Sequence, residues 1–140
     1  MDKFKQIRPV VLGIAKNNNK ILVSEGYDKV KNNTFYRCLG GGIEFSETSQ
    51  DALKREFKEE LGIDIEVEEY CGIAENIFTF QGKQAHEIVL LYNIKIKDED
   101  YKDTYPMIDD DGESEAIWVD IDEFKNNKKI LYPEEIFKYL

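Results

Sequence analysis

The feature that most constrains this chain is the stretch from Gly41 to Ile63, GGIEFSETSQDALKREFKEELGI, which places a glycine-rich turn before a short amphipathic helix. Thr48 and Ser49 are suited to cap that helix, and Thr48 with Asp51 fits a capping box. Gly62 is suited to stop it. Leu53, Phe57 and Leu61 recur at helical spacing and form the expected buried stripe. Glu56, Glu59 and Glu60 fall at i, i+3 and i+4 and so project from one face. At about 100° per residue, their arc is centred roughly 110° from the apolar stripe, which places the carboxylates beside the core.

Three carboxylates near a helix C-terminus oppose the macrodipole, and Glu56 and Glu60 repel one another. Lys54 and Lys58 lie on the other side, leaving Arg55 as the near cation. A hard divalent cation such as Mg²⁺ turns this repulsion into coordination, because it takes carboxylate and carbonyl oxygens. The plainer alternative is a solvated acidic face. The preceding Gly40-Gly41-Gly42, with Glu44 and Glu47 after it, weighs against that alternative: glycines let the backbone bring carbonyls and further acids close to the helix.

Gly41, Glu47, Arg55-Glu56-Phe57, Glu59-Glu60 and Gly62-Ile63, in ungapped spacing over 23 of the 140 residues, resemble the Nudix box. Phe57 stands where a smaller aliphatic is usual and Ser46 where glycine is frequent; neither change removes a metal ligand. The resemblance implies an α/β fold, an α/β/α sandwich with a mixed sheet flanked by helices. It also implies Mg²⁺- or Mn²⁺-dependent hydrolysis of a nucleoside diphosphate derivative, such as a nucleoside triphosphate, ADP-ribose or a nucleotide sugar. Glu56 and Glu60 would bind the metal, with Glu59 completing the cluster and the Gly40 carbonyl as a further ligand. Arg55 would orient the acids, and Glu47 would support the turn. Glu56 or Glu59, or Glu113 outside the box, would take the proton, with Glu115 a second candidate beyond the box. Gly41, Glu47, Arg37 and Tyr36 are the candidate substrate-binding positions. The alternative on the same fold is a catalytically silent nucleotide-binding module, although this chain keeps every acid of the box.

A length of 140 residues suits one domain spanning the chain. A net charge of −10 argues against non-specific binding to nucleic acid or anionic membranes, and it means that metal ions must mediate contact with polyphosphate. Without an apolar run near 18 residues or a leader peptide, the expected location is the cytoplasm. The expected partner is a small nucleotide, with homodimerisation left open. Cys38 and Cys71 make no zinc spacing and read as reduced, semi-buried residues.

Along the chain, residues 8–15 and 20–25 read as a hairpin joined at Asn17-Asn18-Asn19, and Gly26 to Thr34 as a loop. Phe35 to Leu39 reads as a strand. Residues 65–70 and 71–80 read as strands bent near Gly72, followed by a turn at 81–84. Glu87 to Lys97 is the most strand-like run, with an apolar centre that implies burial on both faces. Asp98 to Glu115 reads as a long acidic loop and Ala116 to Ile121 as a last strand. A helical turn over 122–126 and a terminal helix from Pro133 complete the reading. Asp109-Asp110-Asp111-Gly112-Glu113 does not make an EF-hand, because Trp118 stands where the closing glutamate is needed. The single histidine, His86, has no visible catalytic partner, and a Ser-His-Asp hydrolase is not supported.

Overall fold

The computed structural model of the protein describes residues 5–109 and 112–140. Eight strands form one mixed sheet: β1 (Ile7–Asn17), β2 (Lys20–Asp28), β3 (Asn33–Gly42), β4 (Ile65–Phe80), β5 (Lys83–Ile96), β6 (Thr104–Asp109), β7 (Gly112–Asp120) and β8 (Leu131–Tyr132). Their order is β4-β5-β1-β3-β2-β7-β6, with β8 beside β3. The β1–β5 and β3–β8 pairs are parallel and the others antiparallel. Helix α1 (Ser49–Leu61) covers one face, where Leu53, Phe57 and Ala52 pack with Val11, Leu22 and Leu39. The other face is covered by α2 (Ile121–Lys125) and the C-terminal segment through Phe124 and Ile136, which meet Val10, Leu12 and Leu91. Helical layers therefore flank a mixed sheet, as the α/β expectation requires.

The hairpin of β1 and β2 closes at Asn17 opposite Lys20, with Asn18 at φ 56. The bend near Gly72 is a pair of register shifts within one long strand, β4. Strand β5 sends Val89 and Leu91 into one core and Tyr92 and Ile94 into the other, so its apolar centre is buried on both faces.

Four local expectations are corrected. Most of 26–34 is strand, because β2 runs to Asp28 and β3 starts at Asn33. The buried Asp28 carboxylate closes the connection by accepting from the Val30, Lys31 and Gln81 amides. The 98–115 segment is largely the β6–β7 hairpin: Tyr105 and Met107 alternate into the core, and Pro106 is tolerated because β6 is an edge strand. Asp110 and Asp111 of the acidic run lie outside the described residues. The terminal segment Glu134–Tyr139 is 3₁₀ rather than α, and Pro133 precedes it as its N-cap. Finally, Gly40 to Gly42 are not a turn but the end of β3, paired with Leu12, Val11 and Val10. The chain turns only after them, through residues 43–48.

Candidate active site

Helix α1 starts where expected. The Thr48 hydroxyl accepts from the Asp51 amide at 3.2 Å, and Gly62 ends the helix at φ 72 with its N–H on the Lys58 carbonyl. Leu53 and Phe57 are buried and Leu61 is half-buried, which fixes the rotation of the helix. That rotation carries Glu56 over the glycine end of β3. A Cβ built on Gly41 would lie 2.4 Å from the Glu56 carboxyl carbon, so the carboxylate occupies space that only glycine leaves open. Gly40 is shaped by its other neighbour: at φ 155, a Cβ there would sit 1.9 Å from the Val11 carbonyl oxygen.

Arg55 ties these parts together. Its guanidinium donates to both Glu47 oxygens at 2.7 and 2.9 Å, to the Gly42 carbonyl at 3.0 Å, and to Glu56 at 3.0 Å. Glu59 accepts at 3.3 Å. The bidentate bond to Arg55 holds the Glu47 carboxyl down at about 2, and the same partners raise Arg55 above its ordinary range. Glu47 also accepts from the Glu44 amide, closing the turn. Because this carboxyl is depressed on folding, the stabilisation it gives is complete above its ordinary value of 4.5 and is lost as pH falls toward about 2. The difference in melting temperature between wild type and Glu47→Gln is therefore expected to be constant from pH 7 to about 5 and to shrink below that. A pH series of thermal melts reads it directly.

Gly41, against which Glu56 packs, lines a cleft of about 190 Å³ together with Gly40, Glu60, Met107, Arg37 and Glu87. It adjoins a pocket of about 400 Å³ walled by Phe35, Phe78, Phe80 and Tyr132. The Phe35 ring meets Phe80 edge-on and Tyr132 at a tilt, each with centroids 5.8 Å apart. Arg8, Arg37 and Glu87 line both spaces. Among the described residues, no three His, Cys, Asp or Glu side chains already converge as an ion-holding group, since Glu56 and Glu59 both lean on Arg55. The donor set nonetheless fits a hard divalent cation. Glu56 is held above a glycine cradle, Glu60 and Gly40 border the same cleft, and all of these offer oxygen.

A sequence model of the NUDIX domain matches residues 6–140, nearly the whole chain. The chain belongs to the Nudix family. Members of this family generally use divalent metal ions. An ADP-ribose pyrophosphatase from Methanocaldococcus jannaschii is 41% identical over 64 residues, an alignment that takes in 44% of this chain and 36% of that protein. The chain thus matches little more than a third of that relative's length. In fold it is similar to a MutT NUDIX hydrolase from Burkholderia pseudomallei, with TM-score 0.63, 19% identity, and 84% and 86% of the two chains covered. It is equally similar to a NUDIX hydrolase from Nitrosomonas europaea, with TM-score 0.63, 20% identity, and 95% and 85% covered.

Within the Nudix box, Ser46 takes φ 67, a left-handed conformation that costs a non-glycine residue about 1 kcal/mol and accounts for glycine being frequent there. Phe57 is buried at 1% exposure, where the larger ring fills the core under the helix. The structure gathers Glu60, Gly40, Gly41 and Arg37 around one cleft, while Glu56 lies against Gly41 with Arg55 and Glu47 behind it. Glu59 is exposed, and its contact is with Arg55. Glu113 and Glu115, on β7, line a separate surface cleft that touches the first through Met107. Tyr36 is not brought to the cleft. Its ring is buried against Phe124 in the core, because alternation along β3 sends it away from Phe35 and Arg37. Cys38 is also buried, which pushes its thiol up to about 12 and leaves it inert. His86 does not line the cleft; it sits between Ile7 and Ile77 in the sheet. The residues that sequence reasoning passed over are Arg8 and Glu87. The signal for Glu87 was its period-2 spacing with Val89 and Leu91, which sends an acid to the buried face of β5. None of the described helices is long and apolar enough to cross a membrane.

Proposed function

We propose that this Nudix protein is a metal-dependent pyrophosphohydrolase that cleaves the diphosphate linkage of a small nucleoside diphosphate derivative. The observation that carries the reading is the Glu56 carboxylate, held by Arg55 against Gly41, a residue that lines one cleft together with Gly40 and Glu60. Glu56, Glu60 and the Gly40 carbonyl would hold Mg²⁺ or Mn²⁺, with Glu59 close enough along the helix to complete the set. Such an ion, when bound, neutralises phosphate oxygens and acidifies a water at neutral pH.

The chain's own residues supply the rest. Arg55 orients Glu56 by donating to it, and Glu47 in turn holds Arg55 in two bonds. A carboxylate takes the proton of the attacking water: Glu56, Glu59 on the same helix, or Glu113 on β7. Arg37 faces the phosphates at the cleft wall, and the aromatic walls of the adjoining pocket suit a planar base. The relative from Methanocaldococcus jannaschii makes ADP-ribose the first substrate to test, followed by nucleoside triphosphates and nucleotide sugars.

The test is a product-identified panel of nucleotide diphosphate derivatives with Mg²⁺, Mn²⁺ or excess chelator. Hydrolysis of at least one phosphoric anhydride is expected, with activity lost on chelation and restored by added metal. A fully folded protein that binds nucleotides but turns over none of them would establish the silent nucleotide-binding module instead.

A further inference from the structure

We infer that Glu87 is a positioning residue that holds Arg8 and Arg37 together as a guanidinium clamp for the substrate's phosphoanhydride, where the aromatic pocket opens into the glutamate cleft. The inference rests on the hydrolase reading above and adds a specific site for the phosphates. Glu87 is only 3% exposed, on β5, and it faces Arg8 directly across the parallel β1–β5 pairing. Its two oxygens are divided: one accepts from Arg37 Nη2 at 2.9 Å and the other from Arg8 Nη1 at 3.5 Å. The partners are 79 and 50 residues away in sequence, so three strands had to be assembled to build the group.

Two features separate this from an ordinary core ion pair. First, Arg8 and Arg37 side chains stay 35% and 25% exposed while the carboxylate between them is sealed, so the cations and not the anion face the open space. Second, among the described residues each guanidinium engages only Glu87, leaving its other N–H donors for a ligand. Within the triad two cations face one anion, while Asp28 and Lys31 lie on the aromatic side and Glu60 on the cleft side. Paired guanidinium forks match phosphate oxygens in shape as well as charge.

Glu87→Gln tests the idea, because the two roles the carboxylate could play predict opposite signs. Removing a merely neutralising charge would tighten binding of an anion; removing a residue that aims the arginines would loosen it. Binding of inorganic pyrophosphate, measured by calorimetry without metal, is expected to weaken about tenfold in the variant. KM for the hydrolysed nucleotide should rise by a similar factor, with kcat within about threefold of wild type. Unchanged or tighter pyrophosphate binding in a folded variant would overturn the clamp. If Glu87→Gln does not fold, Arg8→Lys and Arg37→Lys keep the charge and lose the fork. Each is expected to raise KM and the pyrophosphate Kd, and unchanged values in both would overturn the proposal. Because pyrophosphate binding is read without turnover, a wild type that hydrolyses no anhydride refutes the hydrolase reading separately.

Discussion

Glu56→Gln is expected to lower kcat by roughly 10²–10⁴-fold while leaving the melting temperature within about 2 °C of wild type. The substitution keeps the side chain's volume and an oxygen that can still accept from Arg55, so the packing over Gly41 survives. What disappears is the negative charge that would both hold a divalent cation and accept a proton. The side chain is 16% exposed and faces the glycine end of β3, so water does not substitute for it readily. Gly41→Ala offers a matched control. The new methyl would collide with the far end of the Glu56 side chain, 2.4 Å away, and not with backbone, so the carboxylate swings aside and the fold persists. Activity should fall in that variant too, although every acidic residue remains in place. A Glu56→Gln protein with kcat within threefold of wild type would remove Glu56 from the chemistry, and with it the main support for the proposed site.

One residue earlier in the same strand, the expected outcome is structural. Gly40→Ala should destabilise the protein by about 4 kcal/mol, which for a chain of this size lowers the melting temperature by roughly 14 °C. At φ 155 an added Cβ would lie 1.9 Å from the Val11 carbonyl oxygen and 2.9 Å from the Leu12 Cα. Both are backbone atoms in the β1 strand that pairs with Gly40, so no rotamer change relieves the clash and the register of β1 and β3 must give way. Thermal melts of Gly40→Ala and Gly41→Ala side by side should therefore separate widely. A Gly40→Ala protein that melts within about 2 °C of wild type would show that this contact is not what holds the strand end in place.

Much of the α1 region was legible because its determinants are local. Thr48, the Leu53–Phe57 spacing and Gly62 all act within one or two turns of the helix they define, and the structure places each as its chemistry requires. The same holds for the β1–β2 hairpin at its asparagine turn and for the apolar run of β5. Failures of the reading occur where a distant strand outvotes a local preference. Three consecutive glycines have the composition of a turn, but β1 lies alongside and supplies partners, so they become strand. The β6–β7 hairpin is masked in sequence by acidic residues and Pro106. Only the burial of Tyr105 and Met107 against α1 and its neighbours reveals that the segment is built into the sheet. The sequence favours Phe35 for the core and Tyr36 for the substrate, but the alternation of β3 does the reverse, sending Tyr36 into the core and Phe35 to the pocket wall.

By itself, then, the sequence determined the family, the mixed α/β architecture and the helix face that carries Glu56, Glu59 and Glu60, because spacing and caps within one helix set those directions. Only the tertiary structure decided what those acids face. The Gly41 cradle, the bonds from Arg55 to Glu47 and Gly42, and the meeting of Arg8, Arg37 and Glu87 all join residues from separate elements. Contacts of that kind depend on strand order and register, which are settled by burial across the whole sheet and leave no local pattern in the chain.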